Sequence, residues 1–310
     1  MRNNVIVRPP CAFQSADDFA ELASDSVLGA VRYSTTPGPP RWEGGRPVLP
    51  LHVVRPGGRE VVEVWSTEGR PVRAGQHEGL LYAHDGELLF GAGWIGPSVH
   101  CGEAARRAYA AAFELVERLG YRTVFRVWNA VDGIAEVHAD FHEGRGRALA
   151  EAGRAMPTST DVGVLSGGVA FYFLAHRAHV AVRLENPLGA SAQATLLVPE
   201  TGRGALYVSG GVSGLDRVAA GRGDVGRQLQ VALADIAALI GADNLVRHGV
   251  GGGWALDDLR SVKVCVSRPE DVPVVTRLCR EEFSRRAEVV VFTADLRHPD
   301  LLVEVEGMAP

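Results

Sequence analysis

Hydrophobic and polar positions alternate at the end of the chain, in Asp300-Leu-Leu-Val-Glu-Val-Glu-Gly307, with the period of a β-strand. Val303 and Val305 therefore share one face and Glu304 and Glu306 the other. The two carboxylates would stand roughly 7 Å apart, two residues at about 3.3 Å each. The apolar start, Leu301-Leu302-Val303, places this strand in a sheet, so the glutamate pair is either a wet edge or a site. The same period recurs at Val61-Val-Glu-Val-Trp65, at Leu80-Leu-Tyr82 and at Glu87-Leu-Leu-Phe90. Asp85-Gly86 between the last two predicts a hairpin. Residues 1–50, broken by Pro37-Gly-Pro-Pro40 and Gly44-Gly45, predict short strands and loops.

A helical period begins at about Gly102 and runs to Leu119, with Ala108, Ala112, Leu115 and Leu119 on one face and Gly120 ending it. Strand Thr123–Trp128, a helix from about Ala139 to Ala152, the apolar strand Val169–Leu174 and its partner Val180–Leu184 follow. After a connection from Pro187 to Gly204 the order repeats: strand Ala205–Ser209, helix Val225–Ile240 closed by Gly241, strand Val262–Val266, a helix from near Pro269 to Ser284, then strands Val289–Thr293 and Leu301–Val305. The matched order predicts a duplicated α+β unit of mixed sheets, each with helices on one face. The boundary falls between an N-terminal half, 1–187, and a C-terminal half, 188–310, which carries Glu304.

At 310 residues, 46% hydrophobic and 22% charged, the chain predicts a globular protein with an ample core. The net charge of -5, with scattered arginines, predicts no nucleic-acid or membrane partner, so an anionic ligand would need a local arginine cluster. Lys263 is the single lysine, in the strand pattern Ser261-Val-Lys-Val-Cys-Val266, and its isolation reflects genomic usage rather than Schiff-base chemistry. The N-terminus has no long apolar run and no cleavage pattern, which predicts a cytoplasmic protein. Cys11, Cys101, Cys265 and Cys279 lack metal-ligand spacing and are expected as free thiols.

Several motifs carry candidate chemistry. The glycine-rich stretches Ser166-Gly-Gly168, Gly210–Gly214 and Gly249–Gly253 lack the strand–helix context of a phosphate cradle, and no cofactor is expected. His138 and His142 have helical i, i+4 spacing around Asp140 but lack a third ligand in context, so no metal is expected. Gly144-Arg-Gly-Arg147 offers Arg145 and Arg147 as a fork for carboxylates or as a solvated helix face. Tyr172, in an apolar strand, must pair its hydroxyl or present it to a pocket.

From Leu206-Tyr-Val-Ser-Gly210 through Gln228 to Asp258-Leu-Arg-Ser-Val-Lys-Val-Cys-Val266 and Leu302-Val-Glu-Val-Glu-Gly307, the C-terminal half resembles the RidA (YjgF) family. From about residue 60 onward the chain resembles the chorismatases. The residues that carry this are Glu63-Val-Trp65, Phe125-Arg-Val-Trp-Asn129, Val131-Asp-Gly133, Gly144-Arg-Gly-Arg147, Tyr172-Phe-Leu-Ala175, Glu185-Asn-Pro187 and Asp300–Gly307. The resemblance implies two RidA-like, chorismate-mutase-like halves, assembled as a homotrimer or a pseudo-trimeric monomer with the site between units. It implies a hydrolase or lyase of secondary-metabolite, including antibiotic, biosynthesis that cleaves the enolpyruvyl ether of chorismate and releases pyruvate. Glu304 would be the general acid, raised by desolvation between sheet and helices and by Glu306. Arg145 and Arg147 would hold the substrate carboxylates, with Tyr172, Gln193, Ser209, Gly210 and Glu306 also against the substrate.

The departures lie in the recognition groups. The family's connection after Glu-Asn-Pro is longer; here it is Leu188–Thr195, with Ser191 and Gln193 where the family has an aromatic and an arginine. Leu215-Asp-Arg217 replaces a His-Glu pair, Arg297-His298 replaces Cys-Arg, and the RidA carboxylate-binding arginine falls at Glu288. The alternatives are therefore a divergent member acting on another enol ether, enamine or imine, and a non-catalytic binder of a small acid.

Overall fold

The computed structural model describes residues 11–22, 24–53, 60–67, 69–97, 100–165, 167–177, 180–189, 192–199, 204–211 and 221–310. They form three sheets around one core. The middle sheet comprises β6 (Arg73–His77), β7 (Leu80–His84), β8 (Leu88–Ile95), β9 (Thr123–Val131), β10 (Thr158–Gly163) and β11 (Val169–His176), in the order β10-β9-β11-β8-β7-β6. The third comprises β12 (Val180–Leu184), β13 (Gln193–Val198), β14 (Ala205–Gly211), β15 (Ser261–Val266), β16 (Glu288–Thr293) and β17 (Val303–Ala309), in the order β12-β13-β14-β17-β15-β16. Read from opposite edges the two orders coincide, and each sheet has one parallel pair, β9 with β10 and β15 with β16. The predicted duplication is an α+β unit with mixed sheets, as expected.

Helices cover the outer face of each repeated sheet. α2 (Cys101–Arg118) and α3 (Ile134–Glu151) pack on the middle sheet; α4 (Val225–Ile240) and α6 (Val272–Glu282) pack on the third, where the short α5 (Ala242–Arg247) follows α4. A side chain at Gly144 would collide with the Gly102 carbonyl, so this glycine lets α2 and α3 touch and accounts for the first residue of the Gly-Arg-Gly-Arg motif. Helix α3 begins five residues before the predicted Ala139, because Gly133, at φ 61°, turns the chain directly from β9 into it.

Three expectations need correction. Val180–Leu184 pairs with β13 rather than with Val169–Leu174, so the third sheet starts at Val180. β17 begins at Val303 and runs through Gly307 to Ala309, later than the predicted start. Within the first 66 residues, beyond the expected loops and short strands, β1 (Cys11–Ser15), β2 (Val27–Ser34), β3 (Arg41–Glu43), β4 (Arg46–His52) and β5 (Val61–Ser66) build a full sheet, β1-β5-β2-β4-β3, with one short helix, α1 (Ala16–Glu21), on its outer side. Residues 1–10 lie outside the described residues.

The inner faces of all three sheets meet in a common core that includes Tyr33 and Trp65 of the first, Trp128 and Tyr172 of the second and Tyr207 and Phe292 of the third. Edge strands seal the joints: β10 lies against β13 and β14, and β1 against β15 and β16. The central strands of the repeated sheets, such as β9, β11, β15 and β17, are thus buried on both faces, apolar toward the helices and partly polar toward the common core, while the edge strands β6 and β12 are largely exposed. Among the described residues no helix is long and apolar enough to cross a membrane.

Candidate active site

The alternation at the chain end does what the pattern predicts. Val303 and Val305 point into the helix-covered core of the third sheet, and Glu304 and Glu306 point inward. Both carboxylates are buried, at 3% and 6% exposure. Their cover is the facing middle sheet, not the helices that the sequence reading supplied, because the helices take the valine side.

The two glutamates have opposite surroundings. Glu306 Oε2 accepts from Arg126 Nη2 at 3.0 Å and from Trp128 Nε1 at 2.5 Å, with Lys263 Nζ at 3.4 Å. Glu304 Oε2 is buried with no partner. Burial is the main cause lifting the Glu304 carboxyl from 4.5 to about 7; Arg297 opposes it, and the charges of Glu306 and Asp161 add to it. The carboxyl is consequently half protonated near neutral pH.

Lys263 ties the three sheets together. Its ammonium lies 2.9 Å from Tyr172 Oη, 3.1 Å from Glu63 Oε2 and 3.2 Å from Tyr33 Oη. Glu63 also accepts from Trp65 Nε1 at 2.9 Å, from Tyr172 Oη at 2.9 Å and from Tyr33 Oη at 2.5 Å. Burial alone would lower the lysine, but Glu306 and Glu63 outweigh it and hold the ammonium well above its ordinary value. Formally, Lys263 and Arg126 neutralise Glu63 and Glu306. Two small cavities of about 30 Å³ each flank this cluster, both lined by Lys263, Trp128 and Glu306.

Sequence reasoning assigned no role to Lys263, Glu63, Arg126 or Asp161. A signal was present for the first: a chain that otherwise uses only arginine keeps one lysine. An ammonium offers one small donor to several converging oxygens, whereas a planar guanidinium cannot.

The arginine fork does not form. Arg145 and Arg147 are two residues apart on α3 and so point to different sides of it. Arg145 is buried and bidentate to Asp161, at 2.7 and 3.1 Å, while Arg147 is exposed. Asp161 also accepts from Asn129 Nδ2 at 2.7 Å, and Tyr109 Oη donates to Asn129 Oδ1 at 2.5 Å. Burial would raise Asp161, but His138 and Arg145 override it and hold the carboxyl well below its ordinary range.

The remaining candidates are spread around this cluster. Tyr172 pairs its hydroxyl with Glu63 in the common core and stacks on Trp128, centroids 4.5 Å apart and planes 7° apart. Ser209 Oγ bonds Thr160 Oγ1 at 2.8 Å and Ser159 O at 3.0 Å, fastening the third sheet to the middle one. Gly210 faces the helix side, where a side chain would meet Ile236. Gln193, at the start of β13, keeps a buried Oε1 without a partner. His138 and His142 stand with ring centroids 6.0 Å apart, and Asp140 turns away to accept from the Gly102 amide at 2.7 Å. Among the described residues, no three His, Cys, Asp or Glu side chains converge as a metal site. Ser191 and Leu215 to Arg217 lie outside the described residues.

Comparison with known proteins agrees with this arrangement. The family described as "Chorismatase FkbO/Hyg5-like, N-terminal" matches residues 63–175, which hold Glu63, Arg126, Asp161 and Tyr172. A 3-hydroxybenzoate synthase from Streptomyces hygroscopicus is 37% identical over 311 residues, covering 91% of this chain and 91% of that protein. A chorismatase from the same organism is 34% identical over 328 residues, covering 98% and 95%. A crystal structure of a chorismatase, 33% identical, superposes with a TM-score of 0.87 over 97% of this chain and 98% of the other. The chain is an enzyme that belongs to the chorismatase family.

Proposed function

We propose that this protein cleaves the enolpyruvyl ether of chorismate, with Glu304 as the general acid. The observation that carries the reading is Glu304 itself, a buried carboxyl whose Oε2 has no partner and whose pKa is lifted to about 7. An enol ether is activated by protonation at its terminal methylene, which needs an acid that still holds its proton near neutral pH. Glu304 gives its proton to that carbon and an oxocarbenium ion forms. Water adds to the cation, and the hemiketal collapses to pyruvate and the ring alcohol; capture by the neighbouring ring hydroxyl is the other course.

The substrate's carboxylates need a cation other than the Arg145–Arg147 fork. Arg297, on the loop before β17, is half-buried, has a buried Nε without a partner and exerts the largest charge effect on Glu304, which supports it as that cation. Incubation with chorismate should release pyruvate, followed by coupling to lactate dehydrogenase, with the ring product identified by mass spectrometry. Glu304→Gln should lower turnover by about 10²-fold or more. Full turnover by this variant would overturn the mechanism. The shortened connection Leu188–Thr195 supports a second reading, a related enol ether, which chorismate turnover by the wild-type protein would eliminate.

A further inference from the structure

Glu304 and Glu306 lie two residues apart on one strand and one face, yet Glu306 Oε2 is bonded to two side chains while Glu304 Oε2 is buried with none. The rungs of the third sheet that carry them differ in the same sense. Glu306 stands between Ser209 on β14 and Lys263 on β15. Glu304 stands between Gly211 and Cys265 on the same two strands.

Rungs two residues apart in an antiparallel pair repeat the same geometry, and directly opposed residues hold their Cβ atoms about 4.5–5.5 Å apart. Side chains do meet across this pair of strands, since Lys263 Nζ lies 3.4 Å from Glu306 Oε2. Cys265 follows Lys263 by two positions and so faces the same side. Both line one inner cavity, together with Thr160 and Glu306. Position 211 is glycine and supplies no side chain, so the Cys265 thiol is the neighbour that the sheet itself gives the Glu304 carboxyl within its rung.

The thiol is 5% exposed. Burial holds it well above its ordinary value, the charges of Glu306, Glu304 and Glu63 act in the same direction, and Lys263 opposes them. It is therefore neutral wherever a carboxyl titrates. A neutral thiol is a weak donor and packs as a small apolar group, so it offers an ionised carboxylate little. The other ionisable groups whose charge reaches Glu304 are Arg297 on the loop before β17, Glu306 on its own strand, Asp161 on β10 and Arg126 on β9. None of them donates to Glu304 Oε2.

We infer that Cys265 is a positioning residue of the Glu304 reaction: its thiol fills the rung beside the acid, keeps water and stronger donors from it, and so sets the pH up to which the acid holds its proton. This rests on the reading of Glu304 as general acid. Serine in the same place would have nearly the same shape but would bring a hydroxyl that donates to the ionised carboxylate. Valine would fill the place and bring no donor.

The test follows kcat/KM against pH, with chorismate, for the full chain as wild type, Cys265→Ser and Cys265→Val. In Cys265→Ser the alkaline limb should move to lower pH by about one unit. In Cys265→Val it should stay in place. A merely structural thiol would lower stability or turnover in both variants and move the limb in neither. An unmoved limb in Cys265→Ser, or an equal shift in both variants, overturns the inference; with Glu304→Gln inactive, the Glu304 reading still stands. Absence of pyruvate release by the wild-type protein overturns both. A second measurement does not depend on the variants at position 265. In the infrared spectrum of the wild-type protein, one component of the S–H stretching band should shift as pH rises through about 7, where Glu304 loses its proton, and should stay fixed in Glu304→Gln. A band in which no component responds overturns the inference even where Cys265→Ser fails to fold.

Discussion

Glu304→Gln tests the burial of the acid independently of any substrate. The change keeps the shape of the side chain and removes its titrating proton. The folded-state carboxyl is lifted from 4.5 to about 7. A carboxyl raised on folding stabilises the fold in its neutral form, so the contribution is complete below about pH 4.5 and is lost as pH rises through about 7. Above that range folding must bury an ionised group. The gap, at about 1.4 kcal/mol for each tenfold change in proton affinity, amounts to about 3 kcal/mol. The neutral amide of the variant escapes this cost at every pH. The variant should match the wild-type protein within about 1 kcal/mol at pH 5 and exceed it by about 3 kcal/mol at pH 8.5. For a chain of this length that corresponds to a melting temperature higher by about 5 °C at the alkaline pH. Thermal scans of both proteins at the two pH values give the answer. An equal difference at both would mean that Glu304 titrates as a solvated carboxylate, and the argument for a neutral-pH acid would fall with it.

Two further substitutions probe the cluster behind the acid. Lys263→Met removes the ammonium shared by Glu63, Glu306 and two tyrosines and should cost about 3–5 kcal/mol in urea denaturation at pH 7. The lysine is raised on folding, so its contribution is fully present below about pH 10 and is lost only above that; a loss under about 1 kcal/mol at neutral pH would refute the role assigned to it. Glu306→Gln removes a negative charge that raises Glu304, so the alkaline limb of kcat/KM should move to lower pH. An unmoved limb would show that the two carboxylates do not sense each other.

How far the site was legible follows from the range over which each part is encoded. Glu304 and Glu306 were readable because one strand's alternation fixes which side chains share a face, and the repeated unit was readable because helix and strand periods switch in the same order twice. The first sheet was hidden because Pro and Gly interrupt it, and its strands take their burial from distant partners: Glu63 meets Lys263 across 200 positions. The polar members of the common core were hidden for a related reason. In Val-Glu-Val-Trp and Val-Lys-Val the charged residue reads as the solvent side of a half-buried strand, which is correct for one sheet with a wet face. Three sheets turned face to face remove that wet side, and alternation then separates a helix-facing core from an inner polar one. The arginine fork failed for a local reason. Residues two apart converge on a strand and diverge on a helix, and both arginines lie within α3, as they do in the predicted helix. Arg145 is consequently engaged by Asp161, and the motif that predicted a fork for carboxylates supplies one half of a buried ion pair within the protein.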